Sequence, residues 1–225
     1  PPFTEEDREV LALFATQAAI AIENARLYEE AKRRQNAAEG LTEVGRLVSQ
    51  SLDPEEVAQR IVDNVRRLLD VHAATLFRLE PESGDLVTIA ISSDVQPALV
   101  KNDVLSQGSA TVGLAVRERK AVTTSDFLTD PRMTLTPELR ARLEQLSYRA
   151  VLAVPLVVQE RVIGALSVGY PAGRVFGQEE TRLVEAFADQ AAIALENAQM
   201  FKQVQVGRER LQNLSRRLVE TQEAE

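Results

Sequence analysis

Apolar residues recur at steps of three and four along two segments, one near each end of the chain, and this spacing predicts α-helices. The second segment, FADQAAIALENAQMF at Phe187–Phe201, is a near copy of the first, FATQAAIAIENARLY at Phe14–Tyr28. Thr4 and Gly177 are the predicted N-cap residues of the two helices, and acidic residues follow each of them, where the helix dipole favours negative charge. So detailed a repeat indicates two copies of one structural element.

The helical pattern continues at Ala38–Val48 and then restarts after a turn. Asp53 is the predicted N-cap of the new helix, Pro54 occupies its first position, and Glu56 completes a capping box. The apolar residues expected to face inward from this helix are Val57, Ile61, Val65, Leu68 and Leu69.

Alternating and apolar runs between the two repeats predict β-strands. A tight turn at Gln159–Arg161 joins the last two strands, and short helices are expected at Gly108–Glu118 and near Pro137. Because strands and helices are mixed without strict alternation, we expect an α+β fold with a central antiparallel β-sheet. The predicted strands are Ala73–Leu79, Leu86–Ile91, Ala121–Thr124, Ala150–Val158 and Val162–Tyr170.

Composition narrows the function classes. The 225 residues carry a net charge of −8, which argues against a nucleic-acid partner because such binders usually present a basic face. The absence of cysteine excludes disulfides, thiolate metal sites and thioether-linked cofactors, and it fits a reducing, cytoplasmic location. No apolar run approaches the roughly 18–20 residues of a membrane span. The chain starts without Met, so we expect a piece of a longer protein.

The closing strands and helix resemble the GAF domain family. The segments that carry the resemblance are Ser147–Leu156, Val162–Val168, Phe176 and the Phe187–Asn197 helix, supported by Val112–Ala115, Ala121, Val122 and Asp126. The likeness covers about residues 36–201. It implies helices on both faces of the sheet, with the two terminal helices on one face and a small-molecule pocket on the other.

The repeat then has an explanation: residues 1–35 resemble the closing helix of a preceding GAF domain. This divides the chain into the end of one GAF domain (1–35), a complete GAF domain (36–201) and a coiled-coil linker toward an output domain (202–225). The segment Leu211–Glu225 resembles the stretch before the phospho-accepting helix of sensor histidine kinases, although its histidine is absent here. A diguanylate cyclase or a phosphatase could follow instead.

The sequence contains only incomplete matches to known catalytic and cofactor-binding motifs. His72, the single histidine, is expected to be a structural or surface residue rather than a haem ligand. Gly108–Gly113 lacks the Lys-Ser/Thr of a phosphate loop, and Ser167 lies within a predicted strand rather than at a nucleophile elbow. Covalent bilin attachment would require a cysteine. We therefore identify no cofactor, no metal site and no enzymatic activity in the chain itself.

The remaining candidate site is a pocket on the sheet face opposite the terminal helices. Apolar side chains from the 125–148 segment would line it, and hydroxyl and guanidinium groups would orient a ligand. The alternative is that these residues only fill a second core. The candidates are Thr123, Phe127, Met133, Leu135, Leu146, Tyr148, Arg149 and Ser167.

Both long terminal helices carry a seven-residue apolar step, which is typical of a coiled coil. A helix from Gln178 to about Glu220 outruns its own domain, so its outer part needs a partner chain. We expect a parallel homodimer, in which Asn197 helps to fix the register. The seam residues are Leu13, Ile20, Leu27, Leu41, Asn197, Val204, Leu211, Leu214 and Leu218.

The sequence thus predicts a non-catalytic sensory GAF domain of a dimeric cytoplasmic signalling protein, with a histidine kinase as the expected output. The domain would bind a small molecule and relay the signal through its long helices. A ligand-free spacer that dimerises the protein and relays a signal from an upstream sensor is the alternative.

Overall fold

The computed structural model of the chain describes residues 14–15, 17–19, 22–23, 53–94 and 99–223, with side chains as far as residue 212. The chain forms two compact units, Pro1–Gly40 and Leu41–Glu225. In the first unit the described residues are helical and exposed, in agreement with the helix that the repeat predicts there. The helix predicted at Ala38–Val48 lies outside the described residues.

Helix α1 (Pro54–Leu69) begins where the sequence predicts. The Asp53 carboxylate accepts a hydrogen bond from the Glu55 backbone N–H at 3.0 Å, and Pro54 stands in the first turn, where a missing N–H leaves no bond unmade. Asp70 ends the helix in the left-handed region, with a φ of 50°. The face turned to the core buries Val57, Ala58, Ile61, Val62 and Val65, and Leu68 and Leu69 are partly buried beside them.

Among the described residues, six strands form one sheet in the order β3-β2-β1-β6-β5-β4, and every neighbouring pair is antiparallel. Two short helices interrupt the connections between strands: α2 (Ala110–Glu118) and α3 (Pro137–Leu143). The predicted α+β fold with an antiparallel sheet is confirmed. The strands are β1 (Ala73–Leu79), β2 (Leu86–Ser93), β3 (Val104–Leu105), β4 (Val122–Thr124), β5 (Ala150–Val158) and β6 (Arg161–Tyr170).

The β5–β6 hairpin closes through two residues, Gln159 and Glu160. Both adopt left-handed backbone conformations, with φ values of 46° and 65°. Such turns match the right-handed twist of the strands that they join, although neither residue is the glycine or asparagine that usually provides this conformation. The Arg119 guanidinium donates a hydrogen bond to the Glu160 carbonyl oxygen and so ties the turn to the end of α2.

The two faces of the sheet carry different layers. Helices α1 and α4 (Gln178–Glu223) pack on one face, over a core that includes Leu76, Leu166 and Phe187. On the other face, α2 and α3 cover a second cluster around Phe77 and Leu114. The interior cavity lies on this second face, between the sheet and helices α2 and α3.

Candidate functional site

An interior cavity of about 60 Å³ lies between the second face of the sheet and its covering helices. Strands β1 and β6 provide the floor, and the first turn of α2 and one side of α3 provide the roof. The lining is mostly apolar, with hydroxyl groups at four positions. The lining residues are Ala73, Thr75, Phe77, Leu99, Leu105, Ala110, Thr111, Val112, Phe127, Leu139, Leu143, Tyr148, Val151, Ser167, Val168 and Gly169.

A tight loop holds the first turn of α2 over this cavity. Ala110 adopts a φ of 55°, unusual for a residue with a side chain, and its N–H donates to the Thr134 carbonyl oxygen at 3.1 Å. A Cβ on Gly113 would lie 2.4 Å from the backbone carbonyl carbon of Gly108, so only glycine allows the loop to approach the helix this closely. The roof is therefore fixed by backbone contacts rather than by side chains alone.

Two aromatic side chains form one wall of the cavity. The rings of Phe127 and Tyr148 meet edge to face, with centroids 6.4 Å apart. Tyr148 lies against Gly169, where a Cβ would come within 2.5 Å of the ring. Burial raises the pKa of Tyr148 to about 12, so its phenol stays protonated at neutral pH and can donate a hydrogen bond.

The polar groups of the cavity are neutral. Thr75 and Thr111 are buried, and the Thr111 hydroxyl lies 3.6 Å from the Met133 sulfur. Ser167 is half-buried opposite Thr75. Three hydroxyls and one phenol among apolar walls suit the orientation of a small, weakly polar molecule and supply no general base.

The structure brings three of the eight predicted pocket residues to the cavity: Phe127, Tyr148 and Ser167. Met133 and Leu135 are partly buried and pack against the cluster around Phe77. Leu146 is buried.

The last two predicted residues lie elsewhere. Thr123 lines a separate cleft at the β4 edge of the sheet. The Arg149 side chain donates to the Glu144 carbonyl oxygen at 3.4 Å, and its backbone carbonyl accepts from the Phe127 N–H. Arg149 thus lines neither the cavity nor that cleft.

Sequence reasoning missed the contribution of β1. Ala73, Thr75 and Phe77 are alternate residues of one strand, so they share the face that lines the cavity. It also missed the first turn of α2. The available signal was the polar residue Thr75 within the otherwise apolar, buried stretch Ala73–Phe77.

A second, larger cleft of about 320 Å³ opens at the β4 edge. Its lining is polar and charged, in contrast to that of the interior cavity. The residues are Thr123, Thr124, Ser125, Asp126, Thr129, Asp130, Arg132, Arg174, Val175 and Phe176.

His72 lies between α1 and β1, with its Nδ1 3.1 Å from an oxygen of Asp94. Both side chains are more than a third exposed, so the pair is a surface contact. Within the described ranges, no three His, Cys, Asp or Glu side chains are grouped in a way that could hold a metal ion.

The outer part of α4 exposes a stripe of large apolar side chains. Ile193 and Met200 are about half exposed, and Val204 and Leu211 are 68% and 70% exposed. Asn197 lies exposed between the first two. Leu214 and Leu218 belong to the helix, but their side chains, like the whole of residues Leu13, Ile20, Leu27 and Leu41, lie outside what the structure describes.

Across the part of the chain that the structure describes, no helix combines the length and the apolar character that crossing a bilayer requires.

Comparison with known proteins gives one family. A family model described as GAF domain matches residues 53–195. The dual 3',5'-cyclic-AMP and -GMP phosphodiesterase 11A of Takifugu rubripes is 25% identical over 226 residues, which cover 90% of this chain and 24% of the relative. The chain thus spans about a quarter of the length of that curated relative.

Solved structures show the same fold at low sequence identity. The GAF domain of a phosphoenolpyruvate-protein phosphotransferase from Coxiella burnetii is 20% identical with a TM-score of 0.64, covering 74% of this chain and 96% of that chain. Free methionine-R-sulfoxide reductase from Neisseria meningitidis, in complex with its substrate, is 15% identical with a TM-score of 0.60, covering 73% and 90%. With the family match extending over more than half of its residues, the chain belongs to the GAF domain family.

Proposed function

We propose that this chain is the sensory and regulatory part of a dimeric, cytoplasmic signal-transduction protein. Its GAF domain takes a small molecule into the interior cavity, catalyses no reaction itself, and relays the occupancy of the cavity through α4. The observation that carries the proposal is that α4 is one continuous helix of 46 residues, one face of which packs on the sheet while residues 193–211 present an apolar stripe outward.

The inner part of α4 belongs to the core of its own domain. Its side chains from Val184 to Ala198 that face the sheet are buried. Strands β1 and β6 connect this face with the cavity, because alternate residues of a strand point to opposite faces. Leu166 packs on the helix side, and Ser167, the next residue, lines the cavity. A ligand that favours one arrangement of these strands would therefore bias the position of α4 by its difference in affinity for the two arrangements.

The exposed stripe of α4 fits a second copy of the chain. The stripe follows alternating steps of four and three residues, which is the spacing of a coiled-coil seam. Isolated large apolar side chains at the surface are ordinary, but a stripe in heptad register calls for a covering partner. A parallel pair of α4 helices would place both of their C-terminal ends on the same side, next to the output domains. The stripe positions are Ile193, Asn197, Met200, Val204, Gly207 and Leu211.

The domain context is part of the same proposal. We take residues 1–35 as the closing helix of a preceding GAF domain, residues 36–201 as the sensory domain and residues 202–225 as the linker to an output domain. The repeated helix sequence supports the tandem arrangement. The likeness of Leu211–Glu225 to the segment before a phospho-accepting helix supports a sensor histidine kinase.

One observation favours a second function, a ligand-free dimerisation and relay spacer. A volume of about 60 Å³ is well below the roughly 300–1,000 Å³ of ligand pockets, so an organic ligand would require α2 and α3 to move. In that case the domain would only transmit a signal that arrives from the preceding domain.

Native mass spectrometry of the 225-residue chain, purified without refolding, separates these functions. A dimer that carries a discrete extra mass would support ligand sensing, and the variant Ser167→Val, with a bulkier side chain in the cavity, should lose that mass. A dimer without added mass, even after incubation with a cell extract of small metabolites, would favour the relay spacer. A monomer at micromolar concentration would contradict the dimer on which both functions depend.

A further inference from the structure

The cleft at the β4 edge is bounded by two walls. Strand β4 and the loop after it form one wall, and the connection between β6 and α4 forms the other. The Gly173 N–H donates to the Ser125 carbonyl oxygen at 3.0 Å and ties the walls together at the base. Each wall contributes one arginine to the cleft, Arg132 and Arg174.

Asp130 fixes the orientation of the Arg132 guanidinium group. Its Nε and Nη2 donate to the two carboxylate oxygens at 3.0 and 2.7 Å, and Nη2 also donates to the Thr123 carbonyl oxygen at 2.7 Å. The Asp130 side chain is only 10% exposed, whereas Arg132 is 52% exposed. Among the described residues Nη1 has no hydrogen-bond partner. The guanidinium is thus fixed in orientation while part of its donor edge stays open.

On the opposite wall, one hydrogen bond and one aromatic ring hold Arg174. Its Nη2 donates to Glu180 at 2.9 Å, and its guanidinium carbon lies 4.3 Å from the centre of the Tyr170 ring. Phe176 packs edge to face on the same ring, with centroids 5.4 Å apart. Within the described part of the chain, the Nε and Nη1 groups of Arg174 donate no hydrogen bond.

We propose that this cleft binds a small oxyanion, a carboxylate or a phosphate, between the guanidinium groups of Arg132 and Arg174. Guanidinium groups match the planar, bidentate geometry of such anions, and preformed orientation lowers the entropic cost of binding. Ser125 and Thr129 lie in the same lining; the Ser125 hydroxyl adds a neutral hydrogen-bond donor, whereas the Thr129 hydroxyl donates to the Asp126 carbonyl oxygen at 3.5 Å. Asp126 also lines the cleft, so anions with one or two charges are favoured over polyanions.

Binding of an anion in this cleft would affect the N-terminal turn of α4. Glu180 lies in the first turn of α4 and Tyr170 is the last residue of β6, so Arg174 links the sheet to the helix. An anion that draws Arg174 away from Glu180 would release this link. That consequence rests on the proposed function of α4, whereas the binding itself does not.

The test is a titration of the 225-residue chain with inorganic phosphate and, separately, with succinate, at an ionic strength held constant with sodium chloride. The arginine Nε–Hε resonances in ¹⁵N-correlated NMR spectra report the binding. We expect saturable shifts of Arg132 and Arg174, with millimolar affinity that falls at least fivefold in Arg174→Gln. Saturation by phosphate alone would identify a phosphate ligand, and saturation by succinate alone a carboxylate.

Arg78→Gln is the matched control, because Arg78 is similarly exposed, at 48%, and pairs with Glu80 outside the cleft. It should bind the anion as the unaltered chain does. Arg174→Lys keeps the charge but loses the planar guanidinium group. Its affinity for the anion should therefore lie between that of the unaltered chain and that of Arg174→Gln. Shifts that do not saturate, or that persist unchanged in Arg174→Gln, would overturn the proposal. Because Ser167→Val alters only the interior cavity, it should leave anion binding intact, so failure of one site is distinguishable from failure of the other.

Discussion

Thr75 and Ser167 are directly opposed on β1 and β6, and both side chains line the interior cavity. The floor of the cavity is thus a cross-strand pair of small hydroxyl residues where larger side chains would close it. The size of these two side chains determines how much space remains between the sheet and α2.

Filling this space should stabilise the domain. Ser167→Val places a larger, β-branched side chain in the cavity and suits the strand, so we expect the free energy of unfolding to rise by about 0.5–1.5 kcal/mol. Ser167→Ala removes the hydroxyl without filling the space and should change it by less than about 0.5 kcal/mol. Urea denaturation of both variants measures the difference. If Ser167→Val is destabilising while Ser167→Ala is neutral, the space is not available to an added group.

The apolar stripe on α4 should determine the oligomeric state. The double variant Val204→Glu/Leu211→Glu places two charges in the predicted seam, and we expect it to convert the dimer into a monomer in sedimentation equilibrium. Val206→Glu is the control, because Val206 is 57% exposed on the same helix but lies off the stripe. A double variant that remains dimeric would show that the dimer, if it forms, uses another surface.

The β5–β6 hairpin shows which parts of the fold the sequence could predict. Both strands were predicted within one residue of their observed ends, since two long apolar runs lie on either side of a short polar turn. Strand β3 was not predicted. It has two residues, Val104 and Leu105, and exists through its pairing with β2, which no local pattern reports.

Strand β1 shows why most of the cavity was not predicted. Its first five residues are all buried, because helices cover both faces of the sheet. A continuous apolar run does not reveal which side chains face α4 and which face the cavity. Tyr148 and Phe127 were found because they lie in the irregular segment that had to cover the second face. Thr123 was placed in the same pocket, although its strand is at the edge of the sheet and its side chain lines the other cleft.

Two glycines should respond oppositely to alanine. A Cβ on Gly164 would lie 2.0 Å from the Phe77 carbonyl oxygen in the neighbouring strand, and a paired strand backbone cannot move away. We expect Gly164→Ala to lower the free energy of unfolding by about 2–3 kcal/mol. At Gly207, in α4, a Cβ meets nothing within 4 Å, so Gly207→Ala should strengthen the helix by about 1 kcal/mol. Thermal unfolding followed by circular dichroism compares them, and a neutral Gly164→Ala would contradict the close approach of β1 and β6.

Asp130 should make the domain sensitive to acid. Hydrogen bonds from Arg132 lower the pKa of Asp130 from 3.8 to about 2, against the opposing effect of burial. Because the folded state holds the carboxylate below its ordinary pKa, the unfolded state binds more protons in this range. The resulting stability is present above pH 3.8 and is lost as the pH falls through about 2. We expect about 1 kcal/mol, since the half-exposed Arg132 is screened by solvent.

The check is the urea midpoint measured between pH 2 and pH 6 at fixed ionic strength. Asp130→Asn cannot titrate, so its stability should decline less steeply toward pH 2 than that of the unaltered chain. Arg132→Gln removes the main cause of the shift and should flatten the same interval while leaving the carboxyl in place. If the three curves run parallel, the ion pair between Asp130 and Arg132 contributes nothing to folding, and Arg132 would not be held in position for an anion in the cleft.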